Sequence, residues 1–212
     1  MTAREEILGK VRGAVGRIDQ QAPARAPAVR IRIPEIGLED RVTMFRERLE
    51  ALGGKVYRAG SLAEAGAVVQ QIRPQGRAVA SNSALLREAG VTSLPDVVTD
   101  FHDEPALCEA CAEAACGITA ADYGMAQTGS LVTRASSEAR LVSLLPPIHI
   151  ALLMKDRLLT GLDEFYTLVP QPAGDTCSTV FITGPSRSAD IEMILVRGVH
   201  GPKAIHVIVV ER

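Results

Sequence analysis

Apolar and polar positions follow one rhythm in the first half of this 212-residue chain and another in the second. From Leu38 onward, segments with helical spacing alternate with short aliphatic runs. Glu39–Leu52 reads as a helix ended by Gly53-Gly54, and Lys55–Arg58 as a short strand. Ser61–Ile72 is a helix opened by a capping box, since Glu64 follows Ser61 by three positions. Ala78–Ala80 and Val97–Thr99 read as strands around a helix, Asn82–Ala89, which Gly90 closes. Glu104–Cys116 is an Ala-rich helix closed by Gly117. This alternation predicts an α/β fold, a mostly parallel open sheet flanked by helices.

After Gly117 the rhythm changes. Ile118–Ala121, Ser130–Thr133, Leu141–Leu145 and Ile148–Met154 are strand-like, with a glycine-punctuated loop, DYGMAQTGS, between the first two. Leu159–Val169 reads as a helix. The last stretch, Thr179 to Val210, reads as one βαβ crossover. Thr179–Thr183 has the look of a strand buried on both faces of a parallel sheet. The loop GPSRS then delivers Asp190 to a helix start, Ile191, Ile194 and Leu195 form its apolar stripe, and Ala204–Val210 is the returning strand. Ahead of all this, residues 2–20 form an amphipathic pattern with Ile7, Leu8, Val11, Val15 and Ile18 on one side. Gln21–Pro34 carries three prolines among small and polar residues and reads as a linker. The expected division is therefore an N-terminal helix and linker, 1–34, and a single α/β domain, 35–212.

Composition narrows the picture. With 3% aromatic residues and no Trp, the core is expected to be Ala, Val, Leu and Ile. A formal charge of −2 with mixed signs has no basic footprint, so nucleic acid is not an expected partner. Arg supplies 19 of the 23 basic residues, and its planar fork suits carboxylate and phosphate. The longest apolar run, Leu141–Met154, contains Pro146, Pro147 and His149 and is too short and broken for a membrane span. No signal peptide is visible, and the four cysteines then point to reduced thiols in the cytoplasm. Cys108, Cys111, Cys116 and Cys177 follow neither ferredoxin nor paired C-x-x-C zinc spacing, so no metal and no cofactor are expected.

Candidate chemistry gathers at two places. Gly184, Ser186, Arg187, Ser188 and Asp190 surround the expected helix start, where free N–H groups and a guanidinium would suit a carboxylate or phosphate. Equally, Ser186 or Ser188 could merely cap that helix, with Asp190 complementing its dipole. The second place is Thr128-Gly129-Ser130 followed by Arg140, where hydroxyls sit beside a backbone that a ligand can approach closely. Glu138 is a candidate base or nucleophile, or else half of a solvated ion pair with Arg140. His149 and His200 flank these segments, whereas His206 falls inside the last strand as a hydrogen-bonded core residue. No G-x-S-x-G elbow marks a hydrolase.

TGSLV at Thr128–Val132, RLVSLLPPIHI at Arg140–Ile150, and ITGPSRSADIE with GVHGP at Ile182–Glu192 and Gly198–Pro202 resemble the lactate-utilisation protein C family. The resemblance runs from about Ala120 to the C-terminus; Ser188 stands where relatives often carry Thr. It implies a sugar-phosphate isomerase and CoA-transferase-like fold. It also implies an accessory or substrate-handling role beside iron–sulfur partner proteins that oxidise L-lactate to pyruvate, with a small carboxylate or phosphorylated ligand. Two other roles fit the residues: a stand-alone isomerase or CoA-transferase-like enzyme using Glu138, and an assembly scaffold docking through the N-terminal helix.

Overall fold

The computed structural model describes residues 2–16, 33–101, 103–134, 140–176, 178–189 and 195–211. The chain divides into two units, Met1–Arg30 and Ile31–Arg212. In the first, α1 (Ala3–Val15) opens on a reciprocal capping box: Thr2 Oγ1 accepts from the Glu5 N–H, and the Glu5 carboxylate accepts from the Thr2 N–H. Gly16 ends it in the left-handed conformation. Ile7 and Val11 of its apolar stripe are exposed. Ile18 and most of the expected linker lie outside the described residues.

In the second unit the first elements follow the expected rhythm: α2 (Leu38–Ala51), β1 (Lys55–Ala59), α3 (Leu62–Ile72), β2 (Ala78–Ala80), α4 (Ala84–Glu88), β3 (Val97–Val98), α5 (Glu104–Glu113) and β4 (Cys116–Ala120). Ser61 caps α3 through the Glu64 N–H, while the Glu64 carboxylate reaches back to the Gly60 N–H. Cys116 begins a strand rather than ending the Ala-rich helix. There follow β5 (Tyr123–Met125), β6 (Ser130–Arg134), α6 (Arg140–Leu144), β7 (Ile148–Met154), β8 (Leu158–Leu159), α7 (Leu162–Leu168), α8 (Pro172–Asp175), β9 (Thr179–Ile182), β10 (Arg187–Ala189), β11 (Leu195–Arg197) and β12 (Ala204–Val210).

Six strands in the order β1-β12-β7-β4-β2-β3 form a sheet in which every pairing is parallel. Both faces are covered, as parallel sheets require. On one face Ala65 and Val69 of α3 and Leu86 of α4 pack on Ile118, Ile150 and Ile208. On the other, Phe45 and Leu49 of α2 meet Ala151, Leu153, Val207 and Val209, and α5 and α6 cover Val79 through Cys111 and Val142. Each fully buried Leu, Ile or Phe contributes roughly 1.5–3 kcal/mol. The covering is close enough at Gly117 that a Cβ there would lie 1.8 Å from the Val142 carbonyl oxygen.

A second sheet, in the order β8-β5-β6-β9, departs from expectation. β9 is not a parallel core strand; it pairs antiparallel with β6 at the sheet edge and is only half-buried. β9 and β12 therefore belong to different sheets and are not the two strands of one crossover. The expected helix between them is also displaced: β10 and β11 pair antiparallel, Arg187 with Arg197, and only residues 190–194 between them lie outside the described residues. Leu195–Arg197, expected as the last turn of that helix, is thus a strand; its expected start at Asp190 with Ile191 and Ile194 lies outside the described residues. Of Leu141–Leu145, read as a strand, all but Leu145 belong to helix α6, whose Val142 backbone packs against the bare Gly117. The second sheet also corrects the expectation of a wholly aliphatic core. Phe165 is fully buried, with Tyr123, Tyr166 and Phe181 edge-on at 5.3–5.8 Å between ring centres.

Candidate functional site

Backbone hydrogen bonds tie together the loops on which the sequence places its polar residues. The Ser186 N–H donates to the Pro202 carbonyl at 2.9 Å, and the Gly198 N–H donates to the Ser186 carbonyl at 3.1 Å. The Lys203 N–H donates in turn to the Pro147 carbonyl at 2.8 Å. The GPSR loop, the GVHGP turn and the PPIH segment thus meet as one structure, at the amino-terminal ends of β7 and β12. Gly201 fits against Ser186 there; a Cβ would stand 3.3 Å from the serine Cβ.

Above this junction lies a cavity of about 620 Å³. Arg140, Gly184, Ser186, Arg187 and His200, five of the expected ligand-binding residues, line it. The sequence offered no sign that Glu104, at the start of α5, and Thr183 also line it. Leu144, Phe181 and Ile205 supply apolar wall. Arg140, Arg187 and His200 are exposed, so their cationic or hydrogen-bonding heads are available, against one carboxylate, that of Glu104, among the described lining residues. The size falls within the usual 300–1,000 Å³ of ligand pockets, and it far exceeds a three-carbon acid. Among the described residues, electrostatic attraction here comes from the side chains of Arg140, Arg187 and His200. Asp190 itself lies outside the described residues, and Ser188 is described only by its backbone, as the central residue of β10.

Thr128, Gly129 and Ser130 do not line the cavity. They connect to it through hydroxyls: Thr183 Oγ1 lies 2.7 Å from Ser130 Oγ, which lies 2.7 Å from Thr128 Oγ1. Ser130 is buried between two exposed threonines, so the chain runs from the cavity wall through the protein to its surface. Gly129 serves packing. Its φ is +65°, and a Cβ would lie 2.5 Å from the Leu49 backbone nitrogen of α2.

His149 is not at the cavity surface. It is fully buried in the sheet, a register partner of Gly117 on one side and Ile205 on the other. Its Nε2 is 2.8 Å from Thr119 Oγ1, and its Nδ1 has no partner among the described residues. Burial lowers its pKa to about 4, so the ring is neutral at physiological pH. Its place in the sheet sets it apart from the cavity that Arg140, Arg187 and His200 line. Glu138 lies outside the described residues. His206 is half-buried, stacked on Tyr57 and 3.2 Å from its hydroxyl. Cys111 and Cys116 are buried thiols whose pKa burial pushes up to about 11, Cys108 is exposed, and Cys177 lies outside the described residues. Among the described residues no group of three or more His, Cys, Asp or Glu is placed to hold a metal ion.

Comparison with known proteins adds a family and relatives. The model of the LUD domain family matches residues 42–210. The chain is 38% identical to lactate utilization protein C of Halalkalibacterium halodurans over 122 residues, 54% of this chain and 53% of that one. Against the protein of the same name from Anoxybacillus flavithermus, identity is 37%, with 48% of the relative covered. The chain thus spans about half the length of these two relatives in the matched stretch. The lactate utilization protein C of Shouchella clausii is 30% identical and is matched over 97% of both chains. In fold, the chain resembles the crystal structure of a DUF162 family protein from Deinococcus radiodurans, with a TM-score of 0.62 at 20% identity, covering 83% of this chain and 99% of the other.

Proposed function

Because the chain belongs to the LUD domain family, and its relatives carry the name lactate utilization protein C, we propose that it serves lactate utilisation by handling an anionic ligand. In this reading it is an accessory or substrate-handling component beside iron–sulfur partners that convert L-lactate to pyruvate. The carrying observation is the convergence of Arg140, Arg187 and His200 on one cavity with Ser186 and Thr183. Guanidinium groups bind carboxylate or phosphate through paired N–H donors, and hydroxyls complete the oxyanion's hydrogen bonds. The apolar wall of Leu144, Phe181 and Ile205 suits a ligand with an apolar part as well as an anionic one. A CoA derivative of a small acid meets both requirements and the volume.

Titration calorimetry of the full chain with lactate, pyruvate and CoA derivatives tests this. Arg187→Ala is expected to weaken binding of the preferred ligand by about tenfold or more, the loss of one charge-assisted contact. The same substitution should impair growth on lactate in a host that depends on this chain. No binding of any of these ligands, with Arg187→Ala still supporting growth, would overturn the reading.

A further inference from the structure

The two larger sheets end in the edge strands β1, β3, β8 and β9. A bare strand edge presents unpaired N–H and C=O groups that invite another strand, and proteins blunt such edges with charge or brevity. β1 carries Lys55 and Arg58, and β3 and β8 are only two residues long. β9 has neither guard. Its sequence, TVFI, is uncharged and wholly β-branched or aromatic, and among the described residues it pairs with β6 alone.

The cavity described above runs along this edge, since residues 180–184 all line it. Side chains alternate between the two faces of a strand, so a cavity over one face meets every second residue. One that meets consecutive residues follows the backbone edge. Facing the edge is α6, which contributes Arg140, Leu141, Ser143 and Leu144 to the same cavity. A strand edge facing a helix across a groove is suited to an added extended peptide. Main-chain bonds to the edge hold such a peptide, and side pockets receive its alternate side chains. Phe181 and Leu144, exposed apolar residues on either wall, suit those side chains.

Charge distinguishes one end of the groove. Beyond β9 and Gly184, Ser186 and Arg187 line it beside His200, and the Ser186 N–H bond to the Pro202 carbonyl joins the two loops there. Arg140 and Arg187 bring two guanidinium groups against the Glu104 carboxylate, and neither arginine forms an ion pair with a described residue. We propose that the free edge of β9 and the facing α6 form a docking groove for the extended carboxyl-terminal segment of a partner protein. The segment joins the second sheet as a further strand, with its terminal carboxylate against Arg187, which takes it through paired N–H donors. This goes beyond the small-ligand reading of the same cavity and does not rest on it.

The test is selection on the full chain from a phage-displayed library of random heptapeptides with free carboxyl termini. Fluorescence anisotropy then measures the selected peptide. Amidation of its carboxyl end is expected to weaken binding about tenfold, and Arg187→Ala in the protein to do the same. N-methylation of its amides one at a time should weaken binding about fivefold at every second position and leave those between unchanged, because a strand turns alternate N–H groups to the edge it joins. Arg187 is exposed, so the variant is expected to keep the wild-type melting temperature. The proposal is overturned if no peptide is selected, if amidation or Arg187→Ala leaves the affinity unchanged, or if the N-methyl scan lacks the two-residue period. Self-association of the chain that the peptide displaces would also overturn it, by placing a second copy on the edge. Calorimetric binding of CoA derivatives with no peptide selected leaves the small-ligand reading standing and overturns this one; the converse result does the reverse.

Discussion

His149 shows how much one buried side chain can impose. Its folded-state pKa, lowered to about 4 from an ordinary 6.5, means that the unfolded chain binds the proton more readily. Between those values the unfolded state holds more protons, so stability falls as pH drops from 6.5 toward 4, by on the order of 3 kcal/mol. Denaturant midpoints of the wild type against His149→Gln should converge as pH falls, because the variant lacks this titration. If the two chains lose stability in parallel over that range, His149 is not the buried neutral group described. Gly117 imposes by its bareness. With the Val142 carbonyl oxygen 1.8 Å from where a Cβ would be, Gly117→Ala must push α6 off the sheet. A loss of about 3 kcal/mol or more is expected in urea unfolding, near the upper end for overpacking. These positions also mark a limit of sequence reading. His149 stood beside polar loops and invited a catalytic role; that both its neighbours in register are interior strands is a property of pairing, invisible in one dimension.

Between elements, a few polar groups hold the second sheet and its helices to the first. Arg41 of α2 donates from Nε to the Ile36 carbonyl and from Nη1 to the Leu158 carbonyl at 2.9 and 3.0 Å, and pairs with Glu164 at 3.1 Å. Both side chains are about four-fifths covered, with 17% and 21% exposed, so neither charge is fully hydrated. Burial pushes the Glu164 carboxyl up, but the Thr160 N–H and Arg41 together outweigh it and leave the pKa lowered. Arg41→Met should therefore cost about 2–3 kcal/mol, mainly from stranding the Leu158 carbonyl and Glu164 carboxylate, as thermal unfolding can measure. Ser130→Ala offers a contrast. It breaks the Thr128–Ser130–Thr183 hydroxyl chain, yet both threonines are exposed and can turn to water, so the expected cost is only about 1 kcal/mol. At this scale the strands and helices of the parallel sheet were legible in the sequence, because an aliphatic run between capped helices has few other ways to bury itself. β9 was not: half-exposed edge strands and fully buried ones can carry the same β-branched residues.

For the whole molecule, cavities at opposite ends of the parallel sheet gather two different sets of described polar residues. The first gathers loops distant in sequence, the GPSR loop, the GVHGP turn and the start of α6, which Ser186, Pro202 and Pro147 join through their backbones. The second, of about 690 Å³, lies at the carboxyl ends of β2, β4 and β7. Residues 1–30 form a unit of their own, and removing them is expected to leave the melting transition of the remainder in place. If that transition is lost, the α/β unit needs the helix to fold. Among the described residues no helix is long and apolar enough to cross a membrane. The sequence by itself determined most of the alternating elements of the parallel sheet, the capped start of α3 and several polar residues that line the first cavity, since elements and caps follow from local periodicity and local hydrogen bonding. Only the tertiary structure decided which sheet receives Thr179–Ile182, that Leu195–Arg197 pairs as a strand with Arg187–Ala189, and that His149 lies within the core. Those outcomes depend on which distant segments compete for the same backbone donors and buried surface, and that competition is settled in three dimensions.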